Sequence, residues 1–128
     1  MTLDSSALIA ILFADYGHLD LIDRILAAEH VRVGMPTLVE TSIVLAGRRR
    51  SEAVGEVETL LQELGASTVP FGEREWHAAV EAFLRYGRGR HKASLNFGDC
   101  LAYAAAVVAN DSLLFVGEDF RLTDVTPA

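Results

Sequence analysis

Apolar residues along the chain form short continuous runs. Longer segments between these runs have apolar residues three or four positions apart, which is helical spacing. The run 113–116 (Leu-Leu-Phe-Val) predicts a buried strand, and 1–3, 31–33 and 68–71 predict three shorter ones. Helices are predicted between them, over 7–13, 20–29, 37–46, 51–64, 73–86 and 97–109. Because strands that alternate with helices form parallel sheets, the pattern predicts an α/β sandwich around a parallel sheet.

Caps and apolar faces refine these helices. We expect Ser5 or Ser6 to cap the first helix, Ser51 to open the fourth and Asn96 to cap the last. We also expect a large apolar face of the 73–86 helix to point inward, together with two aromatic residues of the last helix. These predicted core residues are Trp76, Ala79, Val80, Phe83, Leu84, Phe97 and Tyr103.

Composition limits the class of protein. A chain of 128 residues suits one domain, taken here as 1–128, and 51% hydrophobic residues exclude disorder of the low-hydrophobicity kind. No apolar run reaches the roughly 18 residues of a membrane span, and Asp4 falls where a signal peptide would be basic. A single cysteine, Cys100, has no internal disulfide partner, so we expect a cytoplasmic protein.

Four acidic residues follow strand ends or begin helices: Asp4, Glu40, Asp99 and Asp119. Each also has an ordinary structural interpretation. Glu40 and Asp99 stand three residues after Thr37 and Asn96, which is the spacing of a capping box, and Asp119 follows a glycine as turn residues do. Together they indicate a site, because the carboxyl ends of parallel strands lie at one edge of a sheet.

Carboxylates crowded into one crevice repel one another, and each raises the pKa of its neighbours unless a cation lies between them. Oxygen ligands without histidine or cysteine suit Mg²⁺ or Mn²⁺. His18, His30, His77 and His91 show no metal-ligand spacing, and the chain contains no G-x-S-x-G, P-loop or G-x-G-x-x-G motif. The acids therefore predict a magnesium or manganese site.

The acidic positions and their neighbours resemble the PIN-domain family, and most of all its VapC-type ribonuclease toxins. The motifs occur in family order along essentially the whole chain. They are Asp4-Ser5-Ser6-Ala7-Leu8, Glu40, the run from Leu95 to Ala104, and Gly117-Glu118-Asp119-Phe120 with Thr123-Asp124.

The resemblance implies a PIN-like three-layer α/β/α sandwich with a short central parallel sheet flanked by helices. It also implies an endoribonuclease that depends on Mg²⁺ or Mn²⁺, acts as a homodimeric toxin and is inhibited by a cognate antitoxin. Asp4, Asp99 and Asp119 would hold the metal with help from Glu40. Two further positions match accessory residues of the family: Ser6 and Asp124.

Net charge −7 argues against nucleic-acid binding through the overall field alone, yet basic residues cluster before the last helix. Four of them are candidates to contact the RNA backbone, with a solvated surface as the competing interpretation: Arg85, Arg88, Arg90 and Lys92. The cluster Arg48-Arg49-Arg50 ends a helix and needs only that explanation.

Two other functions are left open. The first is a catalytically inactive protein of the same fold that acts as a binding module, and the second, less favoured, is a metal-dependent phosphatase of small substrates. For the antitoxin, the sequence offers an apolar groove on either the first two helices or the 51–64 helix, without deciding between them.

Overall fold

The computed structural model describes residues 1–49 and 52–128. Within these residues, four strands form one parallel sheet in the order β3-β2-β1-β4. The strands are β1 (Thr2–Leu3), β2 (Arg32–Gly34), β3 (Ser67–Val69) and β4 (Leu113–Leu114). The helices of the same residues are α1 (Ser5–Leu12), α2 (His18–Leu26), α3 (Met35–Arg48), α4 (Ala53–Glu63), α5 (Glu73–Tyr86) and α6 (Phe97–Val108), with a 3₁₀ turn at Asp119–Leu122.

Two apolar cores cover the two faces of the sheet. Side chains of α1 to α4 pack with Leu3, Val33 and Leu114 in one core, while α5 and α6 pack with Leu113 and Phe120 in the other. Neighbouring residues of a strand point to opposite faces, which is why Leu113 and Leu114 belong to different cores. The predicted three-layer sandwich with a short parallel sheet is confirmed.

Close packing of α6 on the sheet depends on small residues. A Cβ atom at Gly34 would lie 3.2 Å from the Cβ of Ala105, which leaves little room for any larger residue at the end of β2. The buried face of α6 also contains Ala102, Ala104 and Ala106. This close approach holds the first turn of α6 near the carboxyl edge of the sheet, where β1 and β4 end.

The expected inward face of α5 is confirmed for Ala79 and wrong for its larger residues. Trp76, Val80, Phe83 and Leu84 are 59%, 49%, 41% and 55% exposed, whereas Ala79 and Ala82 are buried. The helix has apolar residues on two faces, and the face with small residues packs against the alanine-rich α6 because it permits the closer approach. Phe97 was also wrongly assigned to the core, while Tyr103 is buried as predicted.

The caps of two helices differ from prediction. Asp4, and neither serine, caps α1, and α3 begins at Met35 with Gly34 as its cap, so Thr37 lies inside the helix. The capping box predicted for Glu40 is therefore wrong. The predicted start at Ser51 lies outside the described residues, as does Arg50. None of the helices described is long and apolar enough to cross a bilayer.

Candidate active site

The first acid, Asp4, directly follows β1 at the carboxyl edge of the sheet and is only 3% exposed. Its Oδ2 accepts hydrogen bonds from the Ser6 amide at 3.0 Å and from the Ser6 hydroxyl at 2.5 Å. Burial raises the pKa of this carboxyl, the bonds from Ser6 oppose the rise, and the charge of Asp119 adds to it. Asp4 is thus a fixed, largely desolvated carboxylate.

Ser6, predicted as an accessory to the first aspartate, connects two strand ends. Its Oγ donates to Asp4 and accepts from the backbone amide of Val116 at 2.9 Å. The hydroxyl therefore holds the chain that leaves β4 against the start of α1. This bond also explains why β4 is shorter than the predicted 113–116 strand, since the Val116 amide bonds to a side chain.

Asp99 lies in the first turn of α6, and the capping box predicted with Asn96 is confirmed. The Asp99 Oδ2 accepts from the Asn96 amide at 2.8 Å, and the Asn96 Oδ1 accepts from the Asp99 amide at 2.9 Å. Burial, as the largest cause, and the charges of Asp4, Asp119 and Glu40 together raise the pKa of Asp99 to about 6, against the opposing hydrogen bond from the Asn96 backbone amide. The structural role of Asp99 does not exclude a functional one, because its carboxyl lies in the field of the other acids.

Glu40 reaches the same place from the second turn of α3. Burial raises its pKa, the charge of Asp4 adds to the rise, and the Ser5 hydroxyl opposes it. Both Glu40 carboxylate oxygens would lie 2.6 Å from a Cβ atom at Gly98. Because Gly98 has no side chain, the Glu40 carboxylate can pack against the start of α6. The sequence pattern did not predict this role of Gly98.

Asp119 begins the 3₁₀ turn after β4 and is exposed. It lies near enough to raise the pKa values of both Asp4 and Asp99. Its neighbour Glu118, for which the sequence suggested no role, forms an ion pair with Arg121 at 3.0 Å. The structure thus brings all four predicted acids into one electrostatic cluster.

Asp124 does not join this cluster. Its carboxylate accepts from the Tyr103 hydroxyl at 2.6 Å and pairs with the Arg85 guanidinium at 3.1 Å. The bond from Tyr103 lowers the pKa of Asp124, and the positive charge of Arg85 contributes. Asp124 therefore fixes the C-terminal segment to α5 and α6, in contrast to the acids at the sheet edge.

The basic candidates separate into two kinds. Arg85 is held by Asp124 and by the Tyr86 hydroxyl, which accepts from its Nη2 at 2.8 Å. Arg88, Arg90 and Lys92 are exposed in the loop between α5 and α6. That loop is closed by hydrogen bonds between Arg88 and Leu95 and between Leu95 and Tyr86. Arg88 is consequently held beside Leu95, two residues before α6 begins.

The donor chemistry of the cluster fits a hard divalent cation, because its donors are carboxylate oxygens, and burial together with mutual repulsion raises the pKa values of Asp4, Glu40 and Asp99. Within residues 1–49 and 52–128, however, no three Asp, Glu, His or Cys side chains converge closely enough to form a ready-made metal site. The acids are near enough to repel one another but are not drawn together around one point.

The family is established by comparison with known proteins. The PIN domain profile matches residues 1–125. The chain therefore belongs to the PIN-domain family, in agreement with the sandwich fold and with the acidic cluster at the sheet edge.

Relatives within the family are similar over nearly their whole length. Ribonuclease VapC36 of Mycobacterium tuberculosis is 42% identical over 126 residues, which cover 98% of this chain and 91% of the relative. Ribonuclease VapC of Mycolicibacterium smegmatis is 40% identical, with coverage of 98% and 97%. The crystal structure of M. tuberculosis VapC20, a toxin that cleaves the sarcin–ricin loop, superposes with a TM-score of 0.76 over 99% of this chain and 97% of that one. At 16% identity, this last similarity supports the fold alone.

Proposed function

We propose that the protein is an endoribonuclease that depends on Mg²⁺ or Mn²⁺ and acts as the toxin of a type II toxin–antitoxin pair. The observation that carries the proposal is the position of Asp4, Glu40, Asp99 and Asp119 at one sheet edge, where they are close enough for their charges to act on one another. Relatives named VapC ribonucleases, which match 98% of the chain, support RNA as the substrate.

In this proposal Asp4, Asp99 and Asp119 hold the metal, and Glu40 completes the site directly or through water. When bound, such an ion neutralises charge on the phosphate and makes water a stronger nucleophile at neutral pH. Ser6 keeps Asp4 in one orientation, so that little ordering is required when substrate arrives. The Glu40 carboxylate, which packs over Gly98, would accept a proton from water at the edge of the cluster.

Protonation of Asp99 should set the acid limit of activity. In the metal-free protein its pKa is about 6, so below that pH protons compete with a hard cation for the carboxyl and weaken metal binding. Activity is therefore expected to rise with pH through this range. Arg88, Arg90 and Lys92 are proposed to contact the RNA backbone, which would position a strand without reading its sequence. Arg85 already has a protein partner and contributes less.

For the antitoxin we propose the groove between α3 and α4, in preference to the first two helices. The groove has a volume of about 800 Å³, and its mostly apolar lining includes Val39, Ile43 and Val54, which are 57%, 67% and 62% exposed. Such a surface suits an amphipathic segment whose apolar side chains fill it. Homodimerisation and a cytoplasmic location, implied by the resemblance and by the single cysteine, complete the proposal.

The test is cleavage of a mixed RNA pool by purified protein with Mg²⁺ or Mn²⁺. We expect cleavage that stops with EDTA and in the variants Asp4→Asn and Asp99→Asn. Asp23→Asn, which changes an exposed acid on α2, is the matched control and should cleave normally. Cleavage that continues in EDTA, or in both site variants, would contradict the proposal.

A binding module without catalysis is the second candidate. It is favoured by one observation, namely that no three acidic side chains among the described residues converge into a formed metal site. The two candidates differ in metal binding. A nuclease must bind Mn²⁺ through the acids, whereas a binding module should show no difference in Mn²⁺ affinity between wild type and Asp99→Asn.

A further inference from the structure

A second concave surface lies beside the acidic cluster, between α5 and the first turn of α6. Its volume is about 560 Å³, within the roughly 300–1,000 Å³ typical of small-ligand sites. Three aromatic side chains line it and remain open to solvent: Phe97, Trp76 and Phe83 are 81%, 59% and 41% exposed. No part of the proposed catalytic chemistry uses these aromatic rings.

The pocket has few polar lining residues, and the charged residues at or near it are arginines. Apart from its apolar lining, it contains the Arg88 guanidinium and the Asn96 amide. The Arg90 guanidinium lies 5.4 Å from the centre of the Phe83 ring, so a second cation stands near the pocket. Aromatic faces beside guanidinium groups are the combination that binds unpaired bases together with their phosphates.

The pocket and the acidic cluster share the start of α6. Asn96 forms the capping box with Asp99, and Phe97 is separated from Asp99 by Gly98 alone. Gly98 faces Glu40 on the α3 side of the helix, while Phe97 and Cys100 line the pocket on the α5 side. A nucleic-acid strand with a phosphate at the acids therefore has a neighbouring base within reach of the pocket.

We propose that this pocket binds one unstacked nucleobase of single-stranded RNA beside the scissile phosphate, by stacking on Phe97 and Trp76. The inference rests on the proposed ribonuclease function and adds a determinant of substrate choice to it. Continuity with the acids and the cationic rim favour RNA over a protein segment, because a segment filling an apolar groove has no need of either. Base stacking would favour unpaired regions, since a base in a duplex cannot enter the pocket.

The chain offers an internal probe for the test, because Trp76 is its single tryptophan. We would titrate the wild-type protein in EDTA with single-stranded RNA of about eight nucleotides, in the range of single-strand binding sites, and follow tryptophan fluorescence. The comparison ligand is a ribose–phosphate oligomer of the same length without bases. Saturable quenching by RNA, with none by the oligomer that lacks bases, is the expected result.

Phe97→Ala should weaken RNA binding by about 5- to 150-fold, which is the range for loss of one base–aromatic stack. The side chain is 81% exposed, so folding should not change. Tyr16→Ala, which removes a fully exposed ring between α1 and α2, is the matched control and should bind as wild type. Because Trp76 is retained in both variants, fluorescence reports the binding of each.

Several results would overturn the inference. One is equal quenching by the oligomer without bases, and another is wild-type affinity in Phe97→Ala. A third is a tryptophan emission that shifts to the blue with protein concentration and does not respond to RNA, which would show that a second copy covers the pocket. If the protein cleaves RNA with Mg²⁺ or Mn²⁺ but shows no quenching in EDTA, only the pocket is wrong. If RNA quenches the fluorescence in EDTA but is not cleaved when either metal is added, the pocket is supported and the nuclease is refuted.

Discussion

Replacing Asp99 with asparagine should stabilise the metal-free protein while removing its proposed activity. The pKa of Asp99 rises from 3.8 to about 6 on folding, chiefly because the carboxyl is buried and then because three other acids surround it. A rise of this size means that keeping the group ionised costs the folded state up to about 3 kcal/mol. Asparagine has nearly the same shape and no charge, so most of this cost disappears.

Two effects reduce the expected gain. Asp99 is partly exposed, so solvent screens some of the repulsion. The Asn96 amide also exchanges a charged acceptor for a neutral one, which weakens that hydrogen bond by about 1 kcal/mol. We therefore expect a net gain of about 1–2 kcal/mol at pH 8, or roughly 3–8 °C in Tm.

The gain must depend on pH in a defined direction. Because the pKa of Asp99 is higher in the folded protein than in the unfolded chain, the unfolded chain releases this proton first as the pH rises. Wild-type stability from this group is therefore greatest near pH 4 and is lost as the pH rises through about 6. The advantage of Asp99→Asn should be absent near pH 4 and complete above pH 7.

The assay is urea unfolding in EDTA at pH 4.5 and at pH 8, with Asp23→Asn as the exposed control. The control should show no such difference between the two pH values. If Asp99→Asn is destabilised at pH 8 by as much as at pH 4.5, ionisation of Asp99 does not destabilise the folded protein. That result would refute the reasoning about the acidic cluster.

Three further variants test single contacts. Gly98→Ala should lower RNA cleavage at least tenfold, because the new Cβ displaces the flexible Glu40 carboxylate. Its Tm should be unchanged or higher, because alanine favours the helix. Cleavage equal to that of wild type would show that Glu40 can move without loss of activity. Ser6→Ala should lose about 1–3 kcal/mol of unfolding free energy, because the buried Asp4 carboxylate loses the Ser6 hydroxyl as a hydrogen-bond donor, and urea unfolding measures it. Ile43→Glu should reduce antitoxin affinity in calorimetry without changing cleavage of RNA by the free protein; unchanged affinity would place the antitoxin elsewhere.

The sheet edge was predictable from sequence because its determinants are local. Asp4 comes directly after an apolar run and Asp119 three residues after the end of another, and the capping-box spacing from Asn96 to Asp99 is visible without any tertiary contact. Parallel topology then brings them together whatever the details of packing. The strand and helix order followed in the same way, with boundaries that moved by a few residues.

What failed depends on packing between elements. The α5 helix has apolar residues on two faces, and only its contact with the alanine-rich α6 shows that the large side chains of Trp76, Val80 and Leu84 face outward. The role of Gly98 was not predicted for the same reason, since the sequence around position 98 does not indicate that the Glu40 carboxylate of α3 packs against it. The contacts of Asp124 with Arg85 and Tyr103 were not visible in the sequence either, because those two residues lie on α5 and α6.

The most direct test of the central claim measures Mn²⁺ occupancy and RNA cleavage in the same samples. Electron paramagnetic resonance gives bound Mn²⁺ as the metal concentration is raised, and gel electrophoresis gives the cleavage rate. If the acids form a metal-dependent nuclease site, the rate should rise in proportion to bound Mn²⁺, and Asp4→Asn should lose both together. Cleavage that is independent of bound Mn²⁺, or full Mn²⁺ binding by Asp4→Asn, would contradict the account.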